Sequence, residues 1–157
     1  MSSTEATGQT GEPESGLGVD MNLEVVTLPV ADVDRSKAFY QSLGWRLDID
    51  LVISDEVRTV QFTPPHSGCS IQFGKGRTAA QPGSAQAMIL VVKDIDAVRD
   101  DLISRGVDVS EVQEMKPPGF DAPGRSYFAR ASFSDPDGNG WELQEITTRL
   151  PGRTWEG

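Results

Sequence analysis

The chain is short of several things from which small proteins commonly build sites or gain stability. Cysteine occurs once, at Cys69, so no intrachain disulfide can form. That fits a reducing, cytoplasmic setting. Histidine also occurs once, at His66. Positive charge is scarce: the formal net charge is −10, which argues against binding nucleic acid or an anionic membrane through a general basic field. No apolar run approaches the roughly 18 residues of a membrane span. The N-terminus has no apolar stretch behind a basic one, so it does not read as a signal peptide. Apolar residues make up 37% of the 157, enough for one domain with a single core.

Residues 1–20, MSSTEATGQTGEPESGLGVD, have almost nothing that can enter a core. They carry four acids (Glu5, Glu12, Glu14, Asp20) and no base. This composition reads as a disordered acidic tail. Residues 149–157 form a short polar C-terminal extension containing Trp155, which either folds back or touches another chain. The domain between them spans residues 21–148, with one module at 21–76 and a second at 84–148.

The periodic segments of these modules repeat one another. LEVVTLPV at 23–30 is short and β-branched and predicts a strand. The next segment, ADVDRSKAFYQSLGW, predicts a helix: Asp32 or Asp34 can cap it, an apolar stripe runs along it, and Gly44 ends it. Residues 28–47 align with residues 90–109 at an offset of 62, with identities at Leu28/Leu90, Val30/Val92, Asp32/Asp94, Asp34/Asp96, Ser42/Ser104 and Gly44/Gly106. The matches fall on a strand end, a cap and a helix stop, the positions that specify a supersecondary unit, so duplication is the better reading. Strand-like pieces follow each helix, at 45–52, 57–63 and 69–74, then at 108–115, 126–134 and 140–146. DPDGNG (135–140) is a turn signal. It mimics the start of a calcium loop but has Ile146 where a bidentate Glu is needed. KPPGFDAPGR (116–125) must be a loop long enough to border a site. Gly74–Lys75–Gly76–Arg77 lacks the context of a phosphate loop and reads as the linker between modules. The expected fold is α+β, two βαβββ modules forming a curled, mixed eight-stranded cup with the helices outside.

The strings LPVADVDRSKAFYQSLGW, DIDAVRDDLISRG and FSDPDGNGWELQE resemble the vicinal-oxygen-chelate superfamily, the glyoxalase, bleomycin-resistance and extradiol-dioxygenase group, over about residues 22–147. The resemblance implies the fold and a homodimer, but not the reaction, because the group holds isomerases, dioxygenases, transferases and non-catalytic drug binders. It also implies metal ligands on the first and fourth strand of each module. Here those positions match Val25, Gln72, Ala87 and Glu142. Two are hydrocarbon, Gln72 offers a neutral oxygen, and only Glu142 is a strong ligand. No metal or other cofactor is therefore expected, beyond a weak divalent ion at Glu142. His66 lies in TPPHSGCS, a turn at the rim, and is not expected to ligate.

By strand parity, Val25, Thr27, Gln72, Ala87, Ile89, Glu142 and Gln144 should share an inward face with apolar walls and a small polar cluster, as ligand pockets do. Arg58, Arg130 and Tyr127 are supporting candidates whose facing parity does not settle. Trp141 should point outward, toward a helix or a partner subunit, and Phe39, Tyr40 and Trp45 into the core. One function is a metal-independent glyoxalase-like isomerase, lyase or cyclase with Glu142 as acid–base and Gln72 as its partner. The alternative is a non-catalytic protein that binds or sequesters a small organic ligand, as resistance proteins do. A third is a metal-dependent lyase or dioxygenase with unusual ligands. The bland reading of Glu142 and Gln72 is a mutual hydrogen bond within a packed core.

Overall fold

The computed structural model describes residues 18–119 and 124–150. Most of the expected N-terminal tail and nearly all of the C-terminal extension, Trp155 included, lie outside the described residues. Ten elements follow in order: β1 (Val25–Thr27), α1 (Val33–Ser42), β2 (Arg46–Ser54), β3 (Val57–Thr63), β4 (Ser70–Lys75), β5 (Met88–Val92), α2 (Ile95–Ser104), β6 (Gln113–Glu114), β7 (Ala129–Ser134) and β8 (Gly140–Glu145). This is βαβββ twice, as the repeat predicts.

The repeat also explains the local structure. Asp32 and Asp94 cap the two helices, accepting from the backbone N–H of Arg35 and Ala97 at 3.0 and 3.1 Å. Gly44 and Gly106, the same offset apart, take φ of 81° and 87° just past the helix ends, a backbone conformation that favours glycine. The expected strand at 108–115 shrinks to two residues, Gln113–Glu114. Arg99 Nε bonds the carbonyl of Ser110, and Ser110 bonds Ser132 through backbone and side chain, so this edge is held by isolated bonds and not by a ladder.

The eight strands form two four-stranded sheets, ordered β1-β4-β3-β2 and β5-β8-β7-β6. In each, the first strand pairs parallel with the fourth and the other pairs are antiparallel. Val60, Phe62, Ile71 and Phe73 on one sheet, and Ala129, Ala131, Phe133, Trp141 and Leu143 on the other, join a single buried core. Tyr40 of α1, fully buried, packs on Phe62 and Phe73 and also on Trp141, while Phe39 reaches Phe133. Helix α1 therefore lies between β3–β4 of one sheet and β7–β8 of the other. Trp141 points toward this helix and not toward a partner, donating its indole N–H to the Tyr40 hydroxyl at 3.1 Å. Burying a ring such as Phe62 or Phe73 contributes roughly 1.5–3 kcal/mol, so the shared aromatic core is a large part of what joins the modules.

Polar bonds add to that joint at the DPDGNG turn. Buried Asp135 accepts from the Tyr40 hydroxyl at 2.8 Å and from the Asn139 side chain at 2.8 Å. Asn139 also donates to the carbonyl of Pro29 and accepts from the N–H of Ala85. Asp137 holds Arg35 at 2.9 Å and the N–H of Ala31 at 3.0 Å. Gly83, at φ 82°, passes so close that a Cβ there would lie 2.1 Å from the Asp137 carbonyl oxygen. The turn is thus a clasp onto the first module and the linker. Burial pushes the Tyr40 phenol well above its ordinary value, and the Asp135 charge adds to the effect.

Candidate functional sites on two open sheet faces

Phe39 and Tyr40 of α1 pack against the core side of both sheets, so the opposite face of each sheet is the one left open. The residues expected on one inward face are divided between these two open faces within a single chain.

On the first sheet, Thr27, Gln72 and Gln61 form one row across β1, β4 and β3. The amide of Gln72 donates to the Thr27 hydroxyl at 2.7 Å. Asp48 anchors the far side of the row, accepting from Gln61 at 3.4 Å, from the Thr63 hydroxyl and from Arg46 at 2.6 Å. Thr63 in turn meets Ser70 at 2.7 Å. Burial acts to raise the Asp48 carboxyl, but the donors Thr63, Arg46 and Gln61 outweigh it and hold the group below its ordinary value. Val25 is level with Ser70, one step from this row, and half-buried.

On the second sheet the matching row is Ile89, Glu142 and Ser132, and the next is Val91, Gln144 and Arg130. Ile89 and Val91 are exposed, at 48% and 38%. Glu142 accepts from Arg130 at 3.2 Å, and its side chain is 34% exposed. Gln144 is buried and donates to the carbonyl of Tyr127. Tyr127 precedes β7 with φ 72°, and its hydroxyl accepts from the N–H of Leu150, which ties the ring to the end of the described chain.

Two candidates fall elsewhere. Ala87 is not on β5: it stands just before it at φ 59°, because the chain reaches the strand through the Gly140–Ala85 backbone bond and the Gln86 side chain, which bridges the carbonyls of Gly83 and Gly138. The first-strand residues level with Gln72 and Glu142 are Thr27 and Ile89. Arg58 has the parity of Val60 and Phe62 and turns to α1, where it pairs with Asp50 at 3.0 Å and Asp34 at 2.9 Å. Hydrogen bonds from Arg58 and Lys37, helped by their charges, bring the Asp50 carboxyl down to about 2. Gln72 and Glu142 do not bond each other, and neither lies in the core, so the mutual hydrogen bond is replaced by one partner for each on its own sheet. Asp48, Gln61, Thr63 and Ser70 were missed in the sequence. Alternation along RLDID, VRTVQFT and SIQFG could have placed Gln61 beside Gln72, but irregular register between Leu47 and Ile49 hides the facing of Asp48.

Thr27 and Gln72 supply neutral oxygens on the first face, with the Asp48 carboxylate at its edge, and Glu142 supplies a carboxylate on the second beside a hydrocarbon, Ile89. Among the described residues no group of three His, Cys, Asp or Glu side chains gathers. His66 is exposed on the β3–β4 turn. Among the described residues no helix is long and apolar enough to cross a membrane.

Solved structures match closely in extent. TnmS3, an antibiotic binding protein from Streptomyces sp. CB03234, is 27% identical, with 83% of this chain and 99% of that one covered at a TM-score of 0.66. A glyoxalase/bleomycin resistance protein from the same organism is 28% identical over 78% and 99%, with a TM-score of 0.61. A superfamily member from Sphaerobacter thermophilus is 25% identical over 80% and 98%, also at 0.61. No curated protein matches. The family model for the Glyoxalase/Bleomycin resistance protein/Dioxygenase superfamily matches residues 22–143, and the chain belongs to that superfamily.

Proposed function

We propose that this protein binds a small organic molecule, without a metal, between the open face of its first sheet and that of its second sheet in another copy. The observation that carries the reading is the pairing of unlike faces: a hydroxyl–amide row on one, and an exposed aliphatic pair beside Glu142–Arg130 on the other. Each face alone is open, and ligand sites need concave, largely apolar enclosure. A two-fold dimer satisfies both at once, because the first sheet of each copy covers the second sheet of its partner. Exposed Ile49, Leu51 and Ile53 on β2 supply apolar surface for such a contact. The likeness to an antibiotic binding protein at 27% identity supports binding as the primary role.

Native mass spectrometry of the purified protein against a panel of apolar and aromatic antibiotics, with bleomycin included, tests this. The expected result is a dimer carrying up to two ligands, with binding lost in Ile89→Asp. A monomer at micromolar concentration, or no binding across the panel, would overturn it.

A second reading is favoured by the accessibility of the Glu142 carboxylate. It stands at the centre of the second face with Arg130 beside it, where a bound molecule can reach it. There it can move a proton in an isomerisation or elimination while Arg130 holds an anionic substrate group. Under this reading Glu142→Gln retains binding and abolishes turnover. Under the first it leaves binding in place and there is no turnover to lose.

A further inference from the structure

A cleft of about 490 Å³ lies between α2, the end of β5 and the α1–β2 corner of the first module. Its size falls within the roughly 300–1,000 Å³ of small-molecule sites. Trp45, Val98 and Leu143 give it an apolar floor, while His66, Lys93 and Asp101 stand around it. Asp101 is already engaged by Arg105 at 2.9 Å. Lys93 has no ion pair among the described residues, and it is exposed, as is His66. His66 is held at φ 62°, a conformation uncommon outside glycine, on a turn led by Pro64 and Pro65, which also line the cleft.

The cleft joins an apolar floor to an exposed cation that is unpaired among the described residues. Of its 14 Lys and Arg residues, seven hold acids in ion pairs among the described residues, and the net charge is −10. A cation left over at the mouth of an apolar cleft selects for a ligand of opposite charge and apolar body. We propose that this cleft is a second binding site, for a compact apolar monoanion, an aromatic or branched hydrocarbon carrying one carboxylate or sulfonate. Lys93 takes the anionic group, His66 donates to it from the opposite lip, and the hydrocarbon body lies on Trp45, Val98 and Leu143. The site is separate from Glu142 and Gln72, so it does not depend on the function proposed above.

Naphthoate titrated into the full chain by calorimetry tests this, with neutral naphthalenemethanol as the uncharged comparison. The expected result is one naphthoate per chain, with naphthalenemethanol at least about tenfold weaker, the scale of a charge-assisted hydrogen bond. Lys93→Glu should weaken naphthoate by about tenfold or more. Ala97→Trp, which fills the cleft from an exposed position on α2, should abolish binding. An unchanged thermal melt in each variant shows that it folds. Binding that ignores both Lys93→Glu and Ala97→Trp, or equal affinity for the neutral compound, would overturn the proposal. So would a gel-filtration mass that falls to monomer in Ala97→Trp, which would make the cleft an interface between copies.

Discussion

The two modules share one plan and have been put to different uses. Their helices carry the same caps and the same glycine stops at the same offset, and each first strand pairs parallel with its fourth. The differences gather at two places. The turn leading to β4, TPPHSG, is exposed at His66, whereas the turn leading to β8, DPDGNG, is buried at Asp135 and Asn139 and grips the other module. The open face of the first sheet carries a chain of hydroxyls and amides ending on Asp48, with exposed Ile49 and Leu51 along its β2 edge, whereas that of the second carries one ion pair beside exposed Ile89 and Val91. A duplicated unit has kept the elements that make it fold, while one turn became a joint and the two faces took different polar groups, a hydroxyl–amide row on one and an ion pair on the other.

The largest expected effect breaks this contrast at the turns. Asp135→Ala strands the Tyr40 hydroxyl and the Asn139 amide, and should cost about 3 kcal/mol or more in urea unfolding. His66→Ala, at the corresponding turn, should stay within about 0.5 kcal/mol. Equal costs would remove the distinction between joint and free turn. A middle-sized effect concerns Asp50, which the first module binds with Arg58 and Lys37. Its folded value is about 2 against an ordinary 3.8. The contribution is complete above 3.8, declines as the pH falls and the unfolded chain takes up the proton first, and is gone below about 2. Allowing for solvent screening of a partly exposed pair, about 1 kcal/mol separates wild type from Asp50→Asn at pH 6 and nothing separates them at pH 1.5. A gap that persists at the lower pH would contradict the assignment. The smallest effect is at Ala87, whose left-handed backbone is strained by its Cβ where its repeat mate Val25 is in a strand. Ala87→Gly should raise stability by about 0.5–1 kcal/mol, and Val25→Gly should lower it.

The fold was legible because its signals are local. Asp caps, helix-ending glycines and β-branched runs declare elements within a few residues, and the repeat doubles each of them. The face of Gln72 and Glu142 followed from alternation once the strands were known. The offset pairs Val25 with Ala87, but it could not show that β5 begins one residue later than Ala87, since that start is set by bonds to Gly140 and Gly138, more than fifty residues away. Arg58 was opaque for a similar reason: its facing depends on where α1 crosses the sheet and on Asp34 and Asp50. Nor does alternation say which sides of two sheets meet. Tyr40 touches both sheets on their core side, which leaves Thr27 and Gln72 on the open face of one sheet and Ile89, Glu142 and Gln144 on that of the other.

Subunit complementation tests the central claim, that a binding site joins the first sheet of one copy to the second sheet of another. Gln72→Trp blocks the first face in every site of its own dimer, and Ile89→Trp blocks the second. Each variant alone should fail to bind the antibiotic that wild type retains in native mass spectrometry. Mixed and reassociated, half the dimers are hybrid, and each hybrid has one site with both faces intact, so about a quarter of the wild-type capacity should return. No recovery on mixing, with both variants folded and dimeric, would contradict the account and place any site within a single chain.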